Sequence, residues 1–283
     1  MATLKTQFII TALCLATTFV SMSSGLAQIT TVEHTLAIGD AQLYYQSVGQ
    51  GPPLLLLHYF GGCAQNWEPH VARLAQQYRL IIPDLRGHGR STNPAGQFTH
   101  RQAALDLFAL LDELGVERIK TMGMSSGGMT LLHMATQQPE RIEAMVLIGT
   151  TSYFPEQARA IMQQAVPDGM SVTEWEEWDA CSSRGDEQTR ELIRQFHQMK
   201  DSYDDMNFTS PYLSTITART LIVHGDRDEF FPVNIPVAMY AAVPEASLWI
   251  VPNGGHLPIF GNHSIEFGDK ALDFLGRKPG GEQ

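Results

Sequence analysis

The stretch "TMGMSSGGM", residues 121–129, decides how this chain is read. It sets Gly123-Met124-Ser125-Ser126-Gly127 between the apolar run "IKTMGM" and the helical pattern "SGGMTLLHMATQQ". A G-x-S-x-G sequence on a strand-to-helix junction imposes a sharp turn. The serine's backbone is strained there, and its neighbours two residues away must be small. Ser125 Oγ then projects above the strand, and the helix N-terminus behind it favours developing negative charge. Ser126 holds the variable position, where its backbone N–H is expected to matter more than its hydroxyl.

A serine hydroxyl is a weak nucleophile until a histidine takes its proton and an acid fixes that histidine's tautomer. Downstream, "TLIVHGDRDEFFP" (220–232) ends a strand with Asp226 and Asp228. "LWIVPNGGHLP" (248–258) then supplies His256 just after Gly254 and Gly255, which let the loop approach Ser125. The chain order serine, acid, histidine is the one this constellation requires. Spacing alone does not separate the two aspartates.

Outward from this centre, strands and helices alternate. "VEHTLAI" (32–38) and "AQLYYQSVG" (41–49) read as short strands, and "PLLLLHY" (53–59) as a strand covered on both faces. "WEPHVARLAQQ" (67–77) predicts a helix and "YRLIIPDL" (78–85) a strand. "THRQAALDLFALLDELG" (99–115) predicts a helix capped by Thr99 and stopped by Gly115. "IEAMVLIG", "TLIVHGD", "IPVAMYAAV", "SLWIVPN" and "IEFGDKALDFL" continue the rhythm to residue 275. Such alternation means an α/β fold, a mostly parallel sheet with helices on both faces.

Residues 153–215 break the alternation. They hold two helical patterns, "PEQARAIMQQAV" and "EQTRELIRQFHQMK", with no convincing core strand, and twelve acidic against five basic residues. An insertion between strands is placed to lie over the ligand end of the sheet as a lid. Its aromatics, Trp175, Trp178, Phe196, Tyr203, Phe208 and Tyr212, are equally suited to wall a pocket or to pack the lid down.

Composition narrows the function. The 283 residues carry a net charge of −11, with no basic stretch that could track a phosphate backbone, so no nucleic-acid partner is expected. Lys5 before "FIITALCLATTFV", with Gly25 and Ala27 following, predicts a signal peptide over 1–27 and a secreted or periplasmic protein without stable membrane insertion. Core segments are then expected at 28–152 and 216–283, flanking the lid. Removal of the leader leaves Cys63 and Cys181, read as two free thiols. The histidines lack metal-ligand spacing and the glycine pairs are not nucleotide-binding patterns, so neither metal nor cofactor is expected.

Together with the elbow, "DLRGHGRS" (84–91), "HGDRDEFFP" (224–232) and "GGH" (254–256) carry a resemblance over roughly residues 30–275. The chain resembles the α/β-hydrolase superfamily, in particular its lidded esterase, haloperoxidase-like and carbon–carbon-bond hydrolase branches. The resemblance implies an eight-stranded α/β-hydrolase sheet and makes Asp228 the catalytic acid, with Asp226 shaping its loop. A serine at the elbow, where related epoxide hydrolases and dehalogenases carry aspartate, implies acyl transfer. Asp84, Arg86 and His88 are read as organisers of a surface turn.

The same resemblance gives "HYFGG" (58–62) an address: the loop that supplies half of an oxyanion hole. Tyr59 stands where such loops usually carry glycine. Phe60 becomes the expected N–H donor beside that of Ser126, and His58 a loop organiser. Tyr59, Met124, Trp175, Trp178, Phe230 and Leu257 are expected around the substrate. The leading expectation is a carboxylesterase or lactonase acting on a small to medium ester. Prolyl iminopeptidase-like cleavage, favoured by lid acids such as Glu174, Glu176, Glu177, Asp204 and Asp205, stands as an alternative. So do carbon–carbon-bond hydrolysis, cofactor-free perhydrolysis and, outside enzymes, a silent binding module.

Overall fold

Leu54, Leu55, Leu56 and Leu57 account for the layering. Successive side chains of a strand point to opposite faces. Leu54 and Leu56 join one buried cluster with Ile82, Val146 and Val223, while Leu55 and Leu57 join another with Ile81, Leu147 and Ile222. A strand apolar at every position is stable only with cover on both sides.

The computed structural model describes residues 30–277. The leader expected at 1–27 and the polar tail beyond 277 lie outside the described residues. The sheet is built from β1 (Thr31–Ile38), β2 (Ala41–Val48), β3 (Pro53–Leu57), β4 (Arg79–Pro83), β5 (Ile119–Met124), β6 (Ile142–Ile148), β7 (Arg219–Gly225) and β8 (Ala246–Val251). Its order is β1-β2-β4-β3-β5-β6-β7-β8. The β1–β2 and β2–β4 pairs are antiparallel, and all others are parallel. This is the expected α/β sheet. One face is covered by α1 (Glu68–Leu74) and α9 (Ser264–Gly276). The other is covered by α2 (His100–Glu113), α3 (Ser126–Gln137) and α8 (Asn234–Ala242). Thr99 caps α2, its hydroxyl accepting from Gln102 N at 3.0 Å.

Between β6 and β7 the chain forms α4 (Glu156–Gln164), α5 (Val172–Asp179), α6 (Asp186–Gln198) and the single turn α7 (Ser210–Leu213). The sequence patterns anticipate α4 and α6 but pass over α5. Its signal was a capping box: Ser171 accepts from Glu174 N, and the Glu174 carboxylate reaches back to Ser171 N at 2.8 Å.

Cys63 and Cys181 are not free thiols; they form a disulfide across 118 residues of sequence. Chain folding brings the loop after β3 against the end of α5, which no spacing in the sequence could announce. The bond ties the lid to the core. Cys181→Ser is expected to lower unfolding stability by about 2–5 kcal/mol, as is typical for loss of a native cross-link. Urea titration beside the oxidised wild type measures it, and reduction of the wild type should reproduce the shift.

The turn after β4 is also corrected. It is not a surface turn, because Asp84, Arg86, His88 and Ser91 are all buried. Arg86 makes a two-pronged bond to Asp106 and a third contact to Asp40, while Asp84 accepts from Ala64 N and Arg90 N. Asp84 thereby pins the loop that follows β3. The residues organise, as expected, but from inside.

Two buried histidines give the fold an acid limit. Burial pushes His70 in α1 and His133 in α3 down to about 4. The unfolded chain, with ordinary histidines, therefore binds more protons than the folded one between pH 6.5 and 4. Stability falls as pH drops through that window, by about 1.4 kcal/mol per pH unit for each ring. Midpoints of urea unfolding measured from pH 7 to 5 should decline, with a shallower slope in His70→Phe.

Candidate active site

The elbow has the strain its sequence implies. Ser125 has φ 49° and ψ −113°, a left-handed conformation rare outside glycine. Its N–H donates to Ile148 O at 2.7 Å, and its carbonyl accepts from Met129 N at 2.9 Å. A Cβ on Gly123 would lie 2.6 Å from the Gly127 backbone, and one on Gly127 would lie 2.5 Å from Leu57 O. That crowding is why both positions are glycine.

Ser125 Oγ lies 2.9 Å from His256 Nε2, and His256 Nδ1 lies 2.9 Å from Asp228 Oδ2. The other Asp228 oxygen accepts from Phe230 N and Phe231 N, at 2.8 and 3.0 Å. Burial works to raise the Asp228 pKa, but His256 and these N–H groups outweigh it and hold the carboxyl below its ordinary value. An ionised carboxylate only accepts, so His256 carries its hydrogen on Nδ1 and offers Nε2 to the serine. Asp226, by contrast, is exposed and does not reach His256. The loops meet where Arg227 N donates to Gly254 O at 2.8 Å.

The loop after β3 runs alongside. Gly62 N donates to Tyr59 O at 3.0 Å, closing a turn with Phe60 second and Gly61 third. Gly61 has φ 81°, which the third position of a type II turn requires. The Phe60 N–H is not used by that turn. Ser126 opens α3, and the first N–H groups of a helix have no intrahelical acceptor. His58 is buried, with Nδ1 2.6 Å from Tyr59 O and Nε2 accepting from Leu85 N at 2.9 Å. Both ring nitrogens are committed, so His58 organises the loop. Tyr59 Oη accepts from Asn66 Nδ2 at 2.9 Å, an anchored packing role.

A cleft of about 790 Å³ opens over Ser125 and His256. Of the expected pocket residues, Tyr59, Trp178, Phe230 and Leu257 line it. Met124 and Trp175 do not. Met124 is wholly buried in the cluster beneath the sheet, because it is the last strand residue before the elbow and points inward. Trp175 turns toward α6, where the Arg190 guanidinium sits 5.2 Å over its ring. Phe154, Met129, Ile161, Phe196 and Phe231 also line the cleft. Only Phe196 had been singled out in the sequence; Phe231 could have been flagged by its adjacency to the Asp228 loop. Among the lid acids, Glu174 and Glu177 reach the cleft and Asp205 lies elsewhere. Phe208 and Tyr212 stack on each other away from it, and Tyr203 packs on Arg159. Among the described residues no cluster of His, Cys, Asp or Glu could hold a metal ion, and no helix is long and apolar enough to cross a membrane.

A strained elbow serine, a histidine and a buried carboxylate at the carboxyl ends of a parallel sheet define a serine-hydrolase arrangement. The chain has the α/β-hydrolase fold. The alpha/beta hydrolase fold family matches residues 52–173. The chain is 26% identical over 273 residues to the 2-hydroxy-6-oxo-6-phenylhexa-2,4-dienoate hydrolase of Comamonas testosteroni, covering 84% of this chain and 92% of that one. It is 23% identical over 267 residues to the 2-hydroxy-6-oxo-6-(2'-aminophenyl)hexa-2,4-dienoic acid hydrolase of Metapseudomonas resinovorans, covering 87% and 92%. Among solved structures, a hydrolase from Pseudomonas aeruginosa PA01 superposes with a TM-score of 0.72 at 25% identity, over 87% of this chain and 98% of that one.

Proposed function

We propose that the protein hydrolyses a carbon–carbon bond next to a ketone carbonyl in a small aromatic substrate. The carrying observation is similarity along most of the chain to hydrolases named for 6-aryl-6-oxo-hexadienoates. For that reason carbon–carbon cleavage replaces an ester or lactone as the leading expectation. The aromatic wall of Phe60, Phe154, Trp178, Phe196 and Phe230 suits an aryl group.

In this reading Ser125 Oγ attacks the ketone carbonyl and its proton passes to His256 Nε2. Negative charge moves to the carbonyl oxygen, where the N–H groups of Phe60 and Ser126 receive it. Collapse breaks the carbon–carbon bond, and the departing carbon takes the proton from His256. Water, deprotonated by His256, then attacks the acyl-serine and releases a carboxylic acid. The Cys63–Cys181 disulfide supports an oxidising location outside the cytoplasm.

One observation favours a second reading. The cleft lining contains no lysine or arginine, and its charged groups besides His256 are Glu174, Glu177 and Glu229. Such a lining favours a neutral or cationic ester or amide over an anionic dienoate. The test offers 2-hydroxy-6-oxo-6-phenylhexa-2,4-dienoate, p-nitrophenyl butyrate and a prolyl anilide to the purified protein. Benzoate release with the highest kcat/KM of the three supports carbon–carbon cleavage. Ester or anilide turnover without benzoate release overturns it and selects the second reading.

A further inference from the structure

The hydroxyl of Ser126 has an imidazole of its own. Ser126 Oγ lies 2.9 Å from His100 Nε2, and His100 Nδ1 lies 2.6 Å from Asp205 Oδ2. Ser126 and His100 are buried, and the Asp205 side chain is 9% exposed. Adjacent residues of the elbow thus carry two separate carboxylate–imidazole–hydroxyl chains, the first ending on Ser125 and the second on Ser126.

The second chain joins parts of the molecule distant in sequence. Asp205 belongs to the return segment of the lid, His100 is the first residue of α2, and Ser126 is the first of α3. The Asp205 carboxylate also accepts from the backbone N–H of His100 at 2.8 Å and of Arg101 at 3.1 Å. It therefore sits at the N-terminus of α2, where the helix dipole favours its charge. Burial works to raise its pKa, but His100 and these N–H groups prevail and hold it well below the usual carboxylate range. A carboxylate that only accepts draws a His100 hydrogen to Nδ1, which leaves Nε2 facing the Ser126 hydroxyl. The Asp205 carbonyl takes a further bond from His133 Nε2 on α3, at 2.7 Å.

We propose that Asp205, His100 and Ser126 form a positioning relay for the oxyanion hole. The lid's return segment, through His100, fixes the residue whose backbone N–H is offered to the oxyanion. An oxyanion donor works only at about 2.7–3.1 Å from the charge it meets. A free serine side chain samples three rotamers. The His100 bond selects one of them and keeps the second hydroxyl from competing with Ser125 for His256. The inference rests on acyl transfer at Ser125 and is independent of which bond the natural substrate offers.

Steady-state kinetics with p-nitrophenyl butyrate test it in Ser126→Ala, His100→Ala, their double variant and His100→Gln, with thermal unfolding of each. Both single alanine variants should lose about 10- to 100-fold in kcat, within the range for weakening one oxyanion donor. KM should stay within about threefold, as expected when a transition-state interaction is lost. The double variant should be no worse than the poorer single, because both remove one chain. His100→Gln should recover part of kcat, since its amide can still reach Ser126. Unchanged kcat in Ser126→Ala overturns the proposal, as do multiplicative losses in the double variant. A kcat loss that vanishes at temperatures where the variant is folded also overturns it. Ser126→Ala removes a single oxygen and decides the matter if His100→Ala does not fold. Fluorophosphonate labelling separates the outcomes: failure at Ser125 in the wild type refutes the acyl-transfer reading, whereas a labelled wild type with a fully active Ser126→Ala refutes the relay alone.

Discussion

Ser125→Ala is expected to lower kcat by about 10⁴- to 10⁶-fold, the range seen when a triad nucleophile is removed. The variant should fold, because the strain at φ 49° belongs to the backbone turn and an alanine Cβ needs no more room than serine's. The neighbouring hydroxyl cannot replace it. His256 Nε2 is bonded to Ser125 Oγ, whereas Ser126 Oγ is bonded to His100. A rate assay paired with fluorophosphonate labelling gives the readout: wild type labels and turns over, while Ser125→Ala does neither and unfolds at an unchanged temperature. Residual activity above about one hundredth of wild type would point to Ser126 as a second nucleophile, because removal of a triad member leaves only what the oxyanion hole and binding supply.

Asp228→Asn should cost about 10⁴-fold in kcat, the price of a histidine held in the wrong tautomer. The amide is nearly isosteric and can still accept from Phe230 N and Phe231 N, so the loop persists. What changes is the face toward His256: an amide nitrogen there donates to Nδ1 and draws the imidazole hydrogen to Nε2, where it blocks proton uptake from Ser125. Asp226→Asn changes an exposed side chain whose carboxylate lies 4.0 Å from Arg227 Nε, and should stay within about threefold of wild type, as surface changes remote from a site usually do. Comparable losses in two folded variants would reassign the acid.

The elbow, the histidine and the layered sheet were legible because each follows from local rules. The G-x-S-x-G turn has a steric cause within five residues, and the leucines of β3 report two-sided burial by their unbroken run. The choice of Asp228 over Asp226 needed a resemblance, since both lie in one loop and only the path of the chain decides which faces His256. The disulfide, the buried placement of Arg86 and the Asp205–His100–Ser126 chain were illegible for one shared reason. Each joins residues brought together by long-range packing, and neither periodicity nor spacing encodes it. Trp175 and Trp178 show the limit within a single helix: three residues apart, one walls the cleft and the other stacks under Arg190.

The cross-link between Cys63 and Cys181 also divides the insertion mechanically. Beyond its junctions with β6 and β7, the lid is held to the core by hydrogen bonds, between Asp205 and His100 and from Arg184 and Gln188 to the turn after β4. The disulfide adds a covalent attachment close to its middle, and Trp178 rests on Gly61 next to that brace. One half, from α5 onward, is tied to the same loop that carries Phe60. The other half, α4 and the connection through Gly169 and Met170, lines the cleft as well and is held through Gln157, whose amide donates to Glu229 O. The cross-link therefore keeps the Trp178 wall of the cleft in register with the loop that carries Phe60.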